Sequence, residues 1–264
     1  MSKLFATSPD AEIARNGRGC IVVVPCYNEA ERLQPQRFAE YLEQEEGIRF
    51  LFVNDGSTDE TVAILRQMHQ QRPGSIDWLD KQPNGGKAEA VRVGLLKALD
   101  EHDAEYVGFW DADLATPLEA IRELLAKLEQ TPGLEMVFGA RVRLLGRAIH
   151  RQPARHYLGR CFATVASLLL KLPIYDTQCG AKLFRVTPEL RQVLAEPFLS
   201  SWIFDVEILA RFVRLNRQTP DRLHEMIFEY PLHRWEDVAG SRVKTKDFVR
   251  AVGELVRIRQ TYLR

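Results

Sequence analysis

Two aspartates one residue apart, Asp111 and Asp113, follow the apolar run Tyr106–Trp110. At the end of a buried strand, such carboxylates repel each other unless a cation lies beside them. A hard divalent ion with oxygen ligands, Mg²⁺ or Mn²⁺, relieves the repulsion and can bind a diphosphate as well. The same residues also fit a turn in which Asp113 caps a helix beginning near Pro117. The pair alone leaves both interpretations open.

Two further polar runs, Asp55-Gly56-Ser57-Thr58 and Asn84-Gly85-Gly86-Lys87, lie where the chain changes from one predicted element to the next. Asp55 could accept a hydrogen bond from the imide N–H of uracil or the N1–H of guanine. It could equally precede a turn in which Ser57 or Thr58 caps the next helix. The glycine turn could bring backbone amides and the Lys87 ammonium toward a phosphate, or it could serve as a plain helix entry.

Alternating strands and helices must position these residues. Apolar runs predict five strands, at Cys20–Val24, Arg49–Val53, Ser75–Asp80, Tyr106–Trp110 and Glu135–Phe138. Helical spacing of apolar residues predicts helices between them, at Glu31–Glu46, Thr58–Gln71, Lys87–Leu99 and Leu118–Glu129. This order predicts an α/β fold with a mostly parallel sheet flanked by helices. Ligands bind beyond the carboxyl ends of such strands, so the polar runs should share one edge.

The pattern changes after Gly139. Residues Arg141–Arg155 form a basic stretch that predicts a loop. Further elements are predicted beyond it: helices at Arg155–Leu172, Trp202–Leu215 and Lys246–Leu263, and a strand at Met226–Leu232. No linker rich in proline or glycine interrupts the sequence. We therefore predict a single domain, residues 1–264, with an elaborated second half.

Composition narrows the class of protein. The 36 basic and 36 acidic side chains cancel, which argues against a nucleic-acid binder held by bulk charge. The 4 cysteines show no metal-site spacing and suit a reducing compartment. Met1–Arg18 is polar, and the most apolar stretch, Cys161–Tyr175, is too short to span a bilayer. We expect a cytoplasmic protein, either soluble or peripheral on the cytoplasmic face of a membrane.

Taken in order, the runs VVPCYNEAERL, VNDGSTDET, NGGKAEAVRVGL and WDADLATP resemble family 2 of the glycosyltransferases in sequence and spacing. The later runs DTQCGAKLF, FDVE and GSRV, with Trp235, are similar to the dolichyl-phosphate β-glucosyltransferase and dolichol-phosphate mannose synthase branch. The resemblance implies a GT-A fold and a metal-dependent, inverting hexosyltransferase. It also implies a nucleotide-sugar half at about 20–140 and an acceptor half at about 141–264.

The resemblance implies site residues for the donor. Asp113 would ligate Mg²⁺ or Mn²⁺, Asp111 would lie near the ribose or the metal, and Arg242 would close over the diphosphate on a mobile loop. Such cations stabilise the charge that grows on a nucleoside diphosphate leaving group. Five further residues would bind the nucleotide: Pro25, Tyr27, Glu29, Asp55 and Lys87.

The acceptor decides which other groups are needed. A polyprenyl phosphate, with a second pKa of about 6, is already an anionic nucleophile and needs cations, for which Arg141 and Arg155 are the candidates. A sugar hydroxyl would instead need a general base, either Asp176 or Asp205. We expect glucose transfer from UDP-glucose to a polyprenyl phosphate. GDP-mannose as donor, a soluble hydroxyl acceptor and a non-catalytic sugar-nucleotide sensor are the alternatives.

The last predicted helix bears on membrane attachment. From Arg242 to Arg264 the chain has seven basic residues beside an apolar stripe that includes Val252, Leu255 and Val256. Such a helix suits an anionic membrane surface, with the segment Cys161–Tyr175 beside it. It equally suits packing on the sheet, because amphipathic helices usually face a core.

Overall fold

The computed structural model describes residues 19–101, 104–238 and 245–264, without the side chains of 153–156 and 245–249. Its strands are β1 (Gly19–Cys26), β2 (Ile48–Asp55), β3 (Ile76–Lys81), β4 (Ala104–Trp110), β5 (Met136–Ala140), β6 (Ala148–His150), β7 (Ala181–Arg185), β8 (Ile227–Pro231) and β9 (Arg234–Glu236). Its helices are α1 (Pro35–Gln44), α2 (Thr61–Gln71), α3 (Lys87–Leu99), α4 (Glu119–Gln130), α5 (Pro153–Leu170), α6 (Pro188–Ala195), α7 (Phe204–Leu215), α8 (Arg222–Met226) and α9 (Thr245–Tyr262).

Seven strands form one sheet in the order β3-β2-β1-β4-β7-β5-β8. The neighbours pair in parallel except at β7, which runs antiparallel to both β4 and β5. The short strands β6 and β9 pair in parallel beside it. The predicted fold class, a mostly parallel sheet flanked by helices, is confirmed.

The sheet separates two apolar cores because successive side chains of a strand point to opposite faces. Val23, Val53 and Phe109 belong to the core shared with α3 and α7. Val22, Phe52 and Trp110 belong to the core on the other face, shared with α1 and α4. A β-carbon at Gly94 of α3 would lie 2.4 Å from Val23, so a glycine lets this helix lie against β1.

The strand order reverses at β1. The chain passes from β1 to β2 and β3 on one side and then returns to β4 on the other. Open α/β sheets bind ligands at such a switch point, beyond the carboxyl ends of the strands. The ends of β1, β2 and β4 therefore face the place where a nucleotide binds in folds of this type.

Two local expectations were wrong. The predicted cap of α2 by Ser57 or Thr58 is absent, because the helix begins at Thr61 and its first N–H donates to the Asp59 carboxylate. Ser57 and Thr58 instead bond Asn28, in the loop after β1. The predicted loop 141–155 contains β6 and the first turn of α5.

Candidate active site

Asp111 and Asp113 lie directly after β4, as the sequence predicts. Asp111 donates its backbone N–H to the Gly180 carbonyl, and its Oδ1 lies 2.5 Å from the Lys87 Nζ at the start of α3. A β-carbon at Gly180 would lie 2.0 Å from the Asp111 carboxylate, so the glycine is required there. The Asp111 carboxylate is thus fixed between the start of α3 and the loop before β7.

Asp113 has a different environment from Asp111. Its Oδ1 accepts the Ala115 N–H at 3.1 Å and does not cap α4, whose N-cap residue is Leu118. Burial and then the Asp111 carboxylate raise the pKa of Asp113 above its usual value. Desolvation opposes the charge on Lys87, but Asp111 and Asp205 outweigh it and raise the Lys87 pKa. Asp113 is therefore the carboxylate whose charge is less well compensated.

A divalent ion fits this pair. Among the residues that the structure describes, no three His, Cys, Asp or Glu side chains converge on one point. Mg²⁺ often uses one or two carboxylates together with substrate phosphates, so a pair that includes a poorly compensated Asp113 is a suitable donor set. Asp111 already contacts an ammonium, which makes Asp113 the better direct ligand.

The loops after β1 and β2 are joined by Asn28. This residue has a positive φ of 51°, accepts the Thr58 N–H on its Oδ1 and donates its own N–H to the Ser57 Oγ. The Glu29 N–H donates to the Thr61 Oγ1, and its carboxylate pairs with Arg32 at 2.5 Å. Pro25 lies near the end of β1, and Tyr27 is the first residue of the loop that follows it. The structure therefore brings the predicted donor residues of β1 and β2 to one edge.

Asp55 at the end of β2 is almost fully buried. Its Oδ1 accepts from the Lys81 Nζ at 2.8 Å and from the Gly85 N–H at 2.9 Å, and its Oδ2 accepts from the Gly86 N–H at 2.7 Å. The carboxylate thus fixes the glycine turn that opens α3 and places Lys87. Its contact with a base stays a prediction.

Arg141, directly after β5, and Asp176, in the loop before β7, form a bidentate ion pair. The Arg141 Nε and Nη2 donate to the two Asp176 oxygens at 2.6 and 2.8 Å, and both side chains are largely buried. Burial alone would raise the pKa of Asp176, but the Arg141 guanidinium holds it well below its usual range. Because so weak a base accepts protons poorly, the structure argues against Asp176 as the general base.

Three residues of the site, Arg151, Arg160 and Tyr175, were not predicted as site residues from the sequence. The guanidinium carbons of Arg141 and Arg151 lie 5.2 and 5.8 Å from the Trp235 ring centre, so two cations share one indole. Arg160 of α5 stacks on Tyr175, with its guanidinium carbon 3.4 Å from the ring centre. Within the described residues, neither Arg151 nor Arg160 forms an ion pair. The density of arginines in the basic stretch was the available signal for Arg151.

Asp205 lies in the first turn of α7 and faces Lys182 of β7. The Lys182 Nζ lies 2.7 Å from the Asp205 Oδ1, close enough for an ion pair although not aligned as a hydrogen bond. Lys182 is fully buried and donates to the carbonyls of Thr177 and Cys179. The lysine thus holds both Asp205 and the loop before β7.

One cleft of about 550 Å³ joins these groups. Its lining brings together Lys87, Asp111 and Asp113 with Arg141, Arg151 and Arg160, and it also includes Asp176 and Asp205. Pro25, Tyr27, Glu29 and Asp55 lie outside this cleft, at the neighbouring strand ends. Arg242 and the Arg155 side chain lie outside the described residues.

The fold and these strand ends define a GT-A glycosyltransferase, and solved structures agree on the fold. Glucosyl-3-phosphoglycerate synthase from Mycobacterium tuberculosis, in complex with Mn²⁺, uridine diphosphate and glucosyl-3-phosphoglycerate, matches 98% of this chain and 86% of its own. The TM-score is 0.63 at 18% identity.

The chain belongs to glycosyl transferase family 2, whose model matches residues 21–189. It is 31% identical to a dolichyl-phosphate beta-glucosyltransferase of Saccharomyces cerevisiae, over 92% of this chain and 74% of the relative. It is also 31% identical to dolichyl-phosphate beta-glucosyltransferase ALG5C of Trichomonas vaginalis, over 89% of this chain and 69% of the relative. The family predicted from the sequence is confirmed.

Proposed function

We propose that this glycosyltransferase moves glucose from UDP-glucose to a polyprenyl phosphate with inversion. The observation that carries the proposal is the cleft whose lining combines the Asp111 and Asp113 carboxylates and Lys87 with three arginines. A donor diphosphate suits the first group of residues and an anionic acceptor suits the second. The curated relatives, named for glucose and dolichyl phosphate, favour this reading over a mannosyltransferase.

At the donor end, Lys87 would lie beside the diphosphate and Asp113 would hold Mg²⁺ or Mn²⁺. A bound divalent ion neutralises the charge that develops on the departing nucleoside diphosphate. Asp111 orients Lys87 through their contact, and Gly85 and Gly86, held by Asp55, direct the start of α3 toward the phosphates. Arg242 would add a further cation.

At the acceptor end, the phosphate oxygen would attack the anomeric carbon without a general base, because the phosphate is already ionised. Arg141, Arg151 and Arg160 would bind and orient it, and Arg155 remains a candidate. The indole of Trp235 contacts Arg141 and Arg151, and the ring of Tyr175 contacts Arg160, so aromatic faces help to hold these cations in place. The ionised Asp176 serves to hold Arg141.

Assays with paired substrates test this proposal. We expect transfer from UDP-glucose to a short polyprenyl phosphate, at least about tenfold faster than from GDP-mannose or to a soluble sugar hydroxyl. Faster transfer to the hydroxyl would contradict the acceptor assignment and return Asp205 to the role of general base. Binding of UDP-glucose without any transfer would favour a sugar-nucleotide sensor.

The exposed apolar residues of helices α9 and α5 bear on membrane attachment. The described part of α9 packs on α7, with Ala251, Leu255, Ile258 and Tyr262 buried, while Val252 and Val256 of the predicted apolar stripe are exposed. Helix α5 differs, because it lines the cleft with Leu158 and Phe162 while Val165 and Leu168 are exposed. Leu144 and Leu145 are also exposed, beside Arg143. No helix among the described residues is long and apolar enough to cross a bilayer.

We infer that α5 and the Leu144–Leu145 tip rest on an anionic membrane, on its cytoplasmic face. A lipid acceptor could then pass from the bilayer along α5 into the cleft. The protein should cosediment with vesicles containing phosphatidylserine, and binding should fall as the salt concentration rises. Leu168→Glu should reduce binding more than Val252→Glu on α9, where a valine is 60% exposed. Equal losses, or no binding at low salt, would contradict this orientation.

Asp55→Ala should weaken UDP binding by about 1.5–3 kcal/mol, the range for hydrogen bonds to charged groups. The substitution removes the acceptor for the Gly85 and Gly86 amides, as well as the predicted contact with the base. Calorimetry on the folded variant measures the effect. Asp77→Ala, on the exposed start of β3, is the matched control and should bind UDP normally. Unchanged affinity in Asp55→Ala would refute its role.

A further inference from the structure

Glu229 lies in β8, outside the cleft lining, and reaches a loop far from it in sequence. Its Oε2 accepts the Tyr175 N–H at 2.8 Å, and its Oε1 accepts the Asp176 N–H at 2.5 Å. Pairing with Phe138 of β5 fixes the strand that carries it. Each of the two oxygens accepts from one of two successive backbone N–H groups, an arrangement that suits an ionised carboxylate. Glu229 is therefore a backbone clamp on the loop.

The clamped loop carries the partner of an acceptor-side cation. The Asp176 carboxylate binds the Arg141 guanidinium through two hydrogen bonds. The Arg160 Nη1 also contacts this loop and donates to the Tyr175 carbonyl at 2.5 Å. A displacement of the 175–176 backbone would therefore move the Asp176 carboxylate, and Arg141 with it.

We propose that Glu229 is a positioning residue, which fixes the 175–176 backbone and thereby aligns Arg141 in the cleft. The alignment itself follows from the contacts, while its consequence for the acceptor rests on the proposed function. The carboxylate acts at a distance, through one loop and one ion pair. Its loss should change turnover without removing any group that touches the substrates.

The clamp should depend on pH. Burial raises the pKa of Glu229 to about 7; the two N–H donors and Arg160 lower it, and Asp176 raises it. Other charges nearby are Arg141, behind Asp176, and Lys182, across Phe138 on β7. Protonation replaces one acceptor by a donor, so the clamp weakens as the pH falls through 7. Asp176 stays ionised throughout, because its own pKa is lowered.

Hydrogen exchange on the full chain tests the clamp directly. After correction for chemical exchange rates, the Tyr175 and Asp176 amides should exchange about tenfold faster in Glu229→Gln than in the wild type at pH 8. Sheet amides should be unchanged. Glu225→Gln, an exposed glutamate of α8, is the matched control. Normal protection of both amides in folded Glu229→Gln would overturn the proposal. The wild type should show the same local loss of amide protection at pH 6 relative to pH 8, a comparison that requires no variant.

Transfer kinetics supply the second test. At pH 8, kcat should fall about tenfold in Glu229→Gln, and the ratio of wild type to variant should approach 1 at pH 6. The acceptor phosphate also titrates near pH 6, but identically in both proteins, so the ratio removes its contribution. A ratio independent of pH would overturn the pH dependence. Suppose that Glu229→Gln shows faster exchange at Tyr175 and Asp176, but the wild type glycosylates no polyprenyl phosphate. This result would support the clamp and refute only the acceptor assignment.

Discussion

Asp113→Ala should abolish transfer while leaving the fold intact. The loss in kcat should be at least about 10²–10³-fold, the range for removing one preorganised electrostatic group. Within the part of the chain that the structure describes, the side chain accepts one hydrogen bond, from Ala115, and its charge is opposed by burial and by Asp111. Its removal should therefore leave the free energy of unfolding within about 1 kcal/mol of the wild type.

The metal assignment can be separated from other causes of inactivity. EDTA should inactivate the wild type reversibly, and Mn²⁺ should tighten its binding of UDP in calorimetry. In Asp113→Ala, UDP should still bind without metal, and Mn²⁺ should no longer tighten that binding. Full activity in the variant, or in the EDTA-treated wild type, would contradict the role of Asp113 as a ligand.

Periodicity predicts most of the first half of the fold. The strands that become β1, β2 and β4 are short β-branched or aromatic runs, and α3 begins and ends at the predicted residues. The clustering of polar side chains also follows from this order, because parallel strands bring their carboxyl ends to one edge of the sheet. Asp55, Lys87, Asp111 and Asp113 could thus be placed from the sequence.

The second half was less predictable, because tertiary contacts define its elements. Strand β7 has a fully buried lysine at its second position, which breaks the apolar pattern of a central strand. Lys182 is tolerated there because Asp205 and two backbone carbonyls compensate the charge of its ammonium. Likewise, only the folded chain shows that Asp176 pairs with Arg141 and that Glu229 holds the loop that carries Asp176.

Arg141→Met should destabilise the fold and stop transfer. The substitution leaves the Asp176 carboxylate largely buried without its guanidinium, at a cost of about 3–5 kcal/mol. Denaturant unfolding measures this loss. Arg191→Ala, which breaks an exposed pair with Asp100, is the control and should cost about 0–1 kcal/mol.

A second substitution distinguishes stability from function. In Arg141→Met/Asp176→Asn the uncompensated charge is gone, and the asparagine oxygen can still accept the Gln178 N–H that Asp176 accepts. Replacing a whole buried ion pair by neutral groups costs far less than breaking it, so more than half of the lost stability should return. Transfer should not return, because the arginine proposed to bind the acceptor phosphate is still missing. Near wild-type transfer by the stable double variant would show that the pair only supports the fold, and the acceptor site would then rest on Arg151 and Arg160.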